Sequence, residues 1–195
     1  MAKKNQLTTS DYLPYDEFVR LLDCLRNDGE YRWEMYARLS FCTACRVSDT
    51  LSFRWKDILG TSSIVIVEQK TQKARRIPFN PSVQKSFDEL WKAMGCPDKN
   101  DYVMQSTHGD KPITIQFINM KLKEFKAKYN LKIENFSTHT FRKTFGRYVY
   151  ETNNRSAESL ILLNKILNHS SINTTKTYLG ITQDEVASIY ASISL

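Results

Sequence analysis

At 195 residues the chain has room for one well-buried domain, and 41% hydrophobic with 25% charged residues is the balance of a soluble globular protein. No apolar run approaches the roughly 18 residues that span a bilayer. The basic start, Met1-Ala-Lys-Lys, leads into polar sequence rather than a signal-peptide core, so a soluble cytoplasmic protein is expected. Lysine and arginine outnumber acidic residues 28 to 21, for a net charge of +7, which favours a polyanionic partner if that charge is arranged.

The four cysteines, Cys24, Cys42, Cys45 and Cys96, have no disulfide-framework spacing. Cys42-Thr-Ala-Cys45 spells C-x-x-C, but no second ligand pair accompanies it and it closes a helical stretch rather than opening one. Buried reduced thiols are expected, with no metal and no cofactor.

No repeat, low-complexity tract or Gly/Pro/Ser-rich linker divides the chain. Residues 1–12 are expected to form a flexible lead-in and residues 13–195 a single domain. Pro14 stands where a first helical turn tolerates it, and Phe18, Leu21, Leu22 and Leu25 recur at helical spacing until Asn27-Asp28-Gly29. A second helix is predicted from Tyr31 through Leu39 into Cys42, and a short one near Val47–Ser52. Ile64-Val-Ile-Val67 and Arg76-Ile-Pro-Phe79 flank a basic loop, Gln69 to Arg75, and read as a β-hairpin. Helical patterns return at Ser82–Met94, then on the stripe Ile118, Leu122, Phe125 and Tyr129, then around Thr138–Tyr150, Glu158–Leu167 and Ser171–Thr177. Thr182-Gln-Asp-Glu185 is a capping-box pattern for a last amphipathic helix. The predicted fold is mainly α with a small antiparallel sheet at one edge.

Two basic clusters differ in meaning. Lys121, Lys123, Lys126 and Lys128 scatter around their apolar stripe and read as a solvated helix surface. Lys70, Lys73, Arg75 and Arg76 concentrate charge on a protruding loop where packing does not require it.

Four stretches carry candidate chemistry: Arg46-Val-Ser-Asp49, Lys70, His139-Thr-Phe-Arg142, and Asn168-His169 leading to Tyr178. Each has a bland alternative: an Arg46–Asp49 ion pair, an exposed hairpin lysine, surface residues of a helix, a helix-end histidine, one tyrosine of ten. For the third stretch, Phe141, Phe145 and Tyr148 read as the buried stripe. His139 and Arg142 lie about 60° apart and roughly 130° from that stripe, so both are expected to project away from the core, as suits an anionic ligand.

Together these residues resemble the catalytic domain of tyrosine recombinases, the phage integrase family. Its signature is an R-x-S-[ED] helix start, a hairpin lysine, an H-x-x-R helix, a second histidine, and a tyrosine nine residues later. This chain has Arg46, Lys70, His139, Arg142, His169 and Tyr178 in that order, with the final spacing kept. Leu51-Ser-Phe-Arg-Trp55-Lys-Asp57-Ile58 and Asn168-His-Ser-Ser-Ile-Asn-Thr-Thr175 resemble the family's sequence after the first arginine and before the tyrosine. The chain departs from the pattern in having Asn168 for the usual glycine, Asp49 for glutamate as a shorter carboxylate to orient Arg46, and a longer segment between Arg142 and His169. Relatives usually carry a helical core-DNA-binding domain ahead of this one; none is expected within these 195 residues, the chain being either a fragment of a longer protein or a naturally short form.

The resemblance implies site-specific recombination or integration of double-stranded DNA through a 3′-phosphotyrosyl intermediate. Two guanidiniums, Arg46 and Arg142, suit a bidentate clamp on phosphate oxygens that makes a metal unnecessary, and a covalent intermediate that conserves the phosphodiester energy makes ATP unnecessary. Tyr178 is expected to be the nucleophile, His139 to assist removal of its proton, Lys70 to protonate the departing 5′-oxygen, and His169 to bond a phosphate oxygen. Lys73, Arg75, Arg76 and Lys143 are expected to hold flanking backbone. Four protomers on two duplexes is the family's usual assembly, with a monomer off DNA. The helix from Thr182 then docks on a neighbour or packs on its own domain. A type IB topoisomerase, or a DNA-binding accessory protein with a relict site, are the alternatives.

Overall fold

The apolar stripe of Phe18, Leu21, Leu22 and Leu25 winds into α1 (Tyr15–Asn27), with Pro14 at its N-cap. In a computed structural model that describes residues 10–181 and 190–193, this helix lies against α2 (Tyr31–Thr43), the centre of the domain. Met35, Tyr36, Ala37 and Leu39 of α2 are buried, and α1, α5 and α7 pack around it. Glu34 of α2 is also buried. It survives there because Arg26 donates to it at 2.9 Å and Arg38 at 2.7 Å, pairing a charge that would be costly alone.

Two short helices follow, α3 (Val47–Ser52) and α4 (Trp55–Ile58). Next come β1 (Ser63–Val67) and β2 (Ala74–Pro78), an antiparallel pair with Ile64 opposite Ile77 and Ile66 opposite Arg75. Ile64, Ile66 and Ile77 face a core shared with Trp55, Ile58, Phe79 and Phe87, while Val65 and Val67 face outward. β2 begins at Ala74, earlier than the loop read from sequence, so Arg75 and Arg76 belong to a strand and point to opposite faces.

α5 (Pro81–Ala93) opens with an Asn80 cap. α6 (Ile115–Lys128) buries Ile118, Leu122 and Phe125. α7 (Thr140–Thr152), α8 (Ala157–Leu167) and α9 (Ile172–Leu179) complete the described helices. α7 touches α1, α2, α8 and α9, and buries residues on most of its circumference, including Thr140, Phe141, Arg142, Thr144, Gly146, Arg147 and Tyr150. Phe145 and Tyr148, read as part of its buried stripe, are only partly covered.

Residues 10–12 are not a loose lead-in. Ser10 is buried with its Oγ 3.1 Å from Thr140 Oγ1, Asp11 N–H donates to Asn135 O, and Leu13 N–H donates to Thr144 Oγ1. The polar α7 face formed by Thr140 and Thr144 supplies the partners, a tertiary arrangement that the local sequence does not announce. The helix expected from Thr182 lies largely outside the described residues. Among those described, no helix is long and apolar enough to cross a membrane.

Candidate active site

α2 ends at Thr43, and its C-cap, Ala44, takes the left-handed conformation (φ 47°, ψ 32°) that favours glycine. This turn sends the chain into Cys45 and Arg46. α8 ends in the same way at Asn168 (φ 51°, ψ 49°), which leads into His169. Both helix ends therefore present carbonyls with no partner inside their helices, together with the negative end of the dipole.

Arg142 answers both. From α7 its guanidinium donates to Ala44 O through Nη1 and to Leu167 O through Nη2, the latter at 2.6 Å. The side chain is 3% exposed, so the expectation that it projects away from the core is corrected: it points inward, to the junction of three helices. Backbone carbonyls, which a helical wheel does not display, direct it there. A guanidinium has five N–H donors, so after two such bonds it still has donors for a ligand. Burial lowers the pKa of Arg142.

Arg46 stands at the start of α3 and donates to Glu68 Oε2 at 2.6 Å. Asp49, expected to orient it, instead accepts the Gln69 N–H at 3.0 Å and so anchors the hairpin. Being one carbon shorter than glutamate, it meets the neighbouring backbone while Glu68, 1% exposed, holds the guanidinium. Burial raises the Glu68 pKa, but hydrogen bonds from Asn168, Arg46 and Thr71 outweigh it and hold the carboxyl below its usual range.

His169 lies beside Tyr178, ring centroids 5.0 Å apart and edge to face. Asn164 Nδ2 donates to Thr175 Oγ1 at 3.2 Å, and Thr175 Oγ1 is 3.0 Å from His169 Nδ1. In the tautomer that carries the ring hydrogen on Nε2, Thr175 donates to Nδ1 and the Nε2–H is left for a ligand. Burial, then the charges of Arg142 and Arg46, push the His169 pKa down to about 4. His139, the N-cap of α7, is depressed by burial and then by Arg142, Lys143, Arg46 and Lys70. Both rings are neutral near pH 7.

The Tyr178 hydroxyl is buried without a hydrogen bond of ordinary geometry. Burial pushes its pKa up to about 12, with Arg142 and Arg46 pulling the other way. Its helix approaches α7 over Gly146, where a Cβ would stand 2.7 Å from Leu179 Cδ2. Lys143, read as a contact to flanking DNA, has its Nζ 5.2 Å from the centre of the Tyr178 ring.

The structure thus gathers Arg46, His139, Arg142, His169 and Tyr178, with exposed Lys70 within electrostatic range of both histidines. The four flanking cations divide. Arg75 is turned inward, donating to Ile166 O at 2.6 Å and Thr43 O at 2.9 Å, which corrects the view of it as a free loop cation. Arg76 is exposed and bonds Ser63 Oγ, while Lys73 Nζ lies 3.4 Å from Asn168 Oδ1. Beside this cluster a basic cavity of about 540 Å³ opens between β2 and the end of α8, lined by Lys73, Arg75, Arg76, Lys165 and His169 among others. Glu68, Thr175 and Gly146 were missed from sequence. Glu68 left a signal as the one acid in a basic segment and Thr175 as the end of the run that resembles the family's before the tyrosine, whereas Gly146 left none.

Fold and site define a mainly helical domain that turns two arginines, two histidines and a tyrosine toward one point. Residues 11–185 match the Phage integrase family. Probable integrase/recombinase YoeC of Bacillus subtilis strain 168 is 35% identical over 148 residues, which are 76% of this chain and 77% of that protein. Tyrosine recombinase XerC of Staphylococcus saprophyticus is 29% identical over 92% of this chain, which spans only 61% of its length. The XerA recombinase structure superposes with a TM-score of 0.70 at 21% identity, covering 95% of this chain and 66% of that one. XerH bound to difH in a post-cleavage complex gives 0.69 at 19%, covering 93% and 53%. The chain belongs to the phage integrase family, as a tyrosine recombinase catalytic domain.

Proposed function

We propose that this chain cuts and rejoins double-stranded DNA at a specific site, with Tyr178 as the nucleophile. The observation that carries the reading is the convergence of Arg46, Arg142 and His169 beside the Tyr178 ring. One non-bridging phosphate oxygen takes donors from Arg142 and the other from Arg46, and His169 adds its Nε2–H. These contacts strengthen as charge grows on the equatorial oxygens. Neutral His139 accepts the phenolic proton as the tyrosine oxygen attacks phosphorus, and the bond from phosphorus to the 5′-oxygen breaks. Lys70 gives that oxygen its proton. The product is a 3′-phosphotyrosyl linkage with a free 5′-hydroxyl. Reversal by a different 5′-hydroxyl rejoins the strands, because the covalent bond has kept the phosphodiester's energy.

Lys73 and Arg76 hold flanking backbone, and the protein works as a tetramer on two duplexes, wherever the cell keeps its DNA. The neutral, buried state of Tyr178 in the free protein favours a nucleophile that is released only once DNA enters.

The test is a nicked suicide duplex carrying a site selected by binding from a randomised pool. The wild-type protein is expected to give a denaturation-resistant adduct, and Tyr178→Phe to lose it while keeping DNA affinity. Persistence of the adduct in that variant refutes the nucleophile. Relaxation of supercoiled DNA that lacks the site supports the topoisomerase reading instead.

A further inference from the structure

Asn168 stands where the resemblance calls for glycine, and its side chain is fully used. One Nδ2 hydrogen goes to Glu68 Oε2 at 2.9 Å and the other to Thr71 Oγ1 at 2.8 Å. Thr71 Oγ1 in turn donates to Glu68 Oε2 at 2.9 Å, closing a triangle, and Lys73 Nζ approaches Asn168 Oδ1. An amide has two donors and two acceptor positions, so this residue leaves neither donor idle. The left-handed backbone at Asn168 aims the side chain across to the hairpin, and asparagine tolerates that conformation better than most residues.

The consequence falls on Lys70. Residues 68 and 71 flank it, and both are tied to Asn168, while Gln69 N–H is tied to Asp49. Lys70 itself is exposed with no packing of its own. The turn closes on itself through Gln72 N–H to Glu68 O, but its attachment to the His169 turn is made by the two Asn168 bonds, and these bear on where the lysine ammonium stands. A glycine here would leave the hairpin attached to the α8 end chiefly through Arg75.

We propose that Asn168 is a positioning residue, latching the Lys70 hairpin to the His169 turn so that the ammonium is already placed when the 5′-oxygen departs. The inference rests on the reading of Lys70 as general acid, and the test separates the two. Single-turnover cleavage is measured for wild type, Asn168→Gly, Asn168→Asp and Lys70→Ala on two suicide duplexes. One has the natural 5′-oxygen at the scissile phosphate, and the other has a bridging 5′-sulfur, whose thiolate leaves without needing a proton. Glycine keeps the left-handed turn, so Asn168→Gly is expected to fold normally.

On the oxygen substrate Asn168→Gly is expected to be slower by about tenfold, a fraction of what a general acid supplies. Asn168→Asp, which faces Glu68 with a second carboxylate, is expected to be at least as slow. On the sulfur substrate both return to within about twofold of wild type, as does Lys70→Ala. If Lys70→Ala is restored by sulfur but Asn168→Gly is unimpaired, or equally impaired on both substrates, the latch is refuted and the acid stands. If sulfur does not restore Lys70→Ala, the acid assignment falls and the latch with it.

Discussion

The two sides of the proposed phosphate pocket are held by different means. On the Arg142 side, a guanidinium is fixed by the backbone carbonyls of Ala44 and Leu167, themselves part of helix ends packed in the core. On the Lys70 side, the hairpin tip is fixed by side chains, through Asp49, Asn168, Thr71 and Glu68. Groups bonded to helix-end carbonyls move only if the core moves. The hairpin network has a buried base in Asp49 and Glu68 but leaves Lys70 itself exposed, so the ammonium shifts for less energy than the Arg142 guanidinium. Arg46 joins the two sides, because its carboxylate partner, Glu68, belongs to the hairpin network.

This contrast breaks first at Arg142. Arg142→Ala is expected to slow cleavage by roughly 10²–10³-fold, the range for loss of a preorganised donor to developing charge. It should also cost about 1–3 kcal/mol in urea unfolding, because two buried carbonyls lose their donor. A variant with slow cleavage but unchanged stability contradicts the structural half of the assignment.

Arg75 and Arg76, neighbours in β2, sharpen the difference between anchoring and contact. Arg75→Ala strands the Ile166 and Thr43 carbonyls and is expected to cost about 1–3 kcal/mol. Arg76→Ala is expected to leave stability within about 0.5 kcal/mol and to lower the slope of log affinity against log salt by about 0.9. Equal effects of the two on unfolding contradict their opposite placement.

Gly146→Ala tests how closely α9 must seat on α7. The added Cβ meets the buried methyl Leu179 Cδ2, so that side chain must yield, and whatever displacement it does not absorb passes to α9 and Tyr178. Cleavage is expected to fall about tenfold and stability by about 1 kcal/mol, with DNA affinity unchanged.

The smallest effect is in pH. The His169 pKa is about 4 in the folded protein and 6.5 when unperturbed, so between those values the unfolded chain binds the extra proton. Its contribution to stability is therefore fully present above pH 6.5 and is lost as pH falls toward 4. Burial depresses His139 in the same direction. A bound phosphate favours the charged ring, so DNA binding takes up a proton, and affinity is expected to rise as pH is lowered from 7 toward 5. His169→Asn should flatten that rise in a fluorescence-anisotropy titration.

Much of this was legible in the sequence, for identifiable reasons. α1 and α6 each bury one apolar stripe, so periodicity located them. The runs Ile64–Val67 and Arg76–Phe79 on either side of a polar, basic loop located the hairpin, whereas the burial of Ile64 and Ile66 against the exposure of Val65 and Val67 came only with the structure. The order of Arg46, Lys70, His139, Arg142, His169 and Tyr178 located the site. The inward course of Arg142 was not legible, because its acceptors are two carbonyls 98 and 25 residues away. α7 misled for a related reason: a helix packed on most sides has no single stripe, and Phe145 and Tyr148 are not its most buried residues. Arg75 read as loop charge because strand β2 starts one residue before it, and the partner of Arg46 read as Asp49 because the nearer carboxylate in sequence was not the nearer in space.

The most direct trial of a tyrosine-linked cleavage is the position of the covalent bond. Wild-type protein trapped on the suicide duplex is digested with nuclease and trypsin, and the nucleotide-bearing peptide is fragmented by mass spectrometry. The peptide that follows Lys176 contains both Tyr178 and Tyr190, so the fragment series distinguishes them. A nucleotide remnant on Tyr178 is the expected result. Its presence on Tyr190, or on any side chain other than Tyr178, contradicts the account.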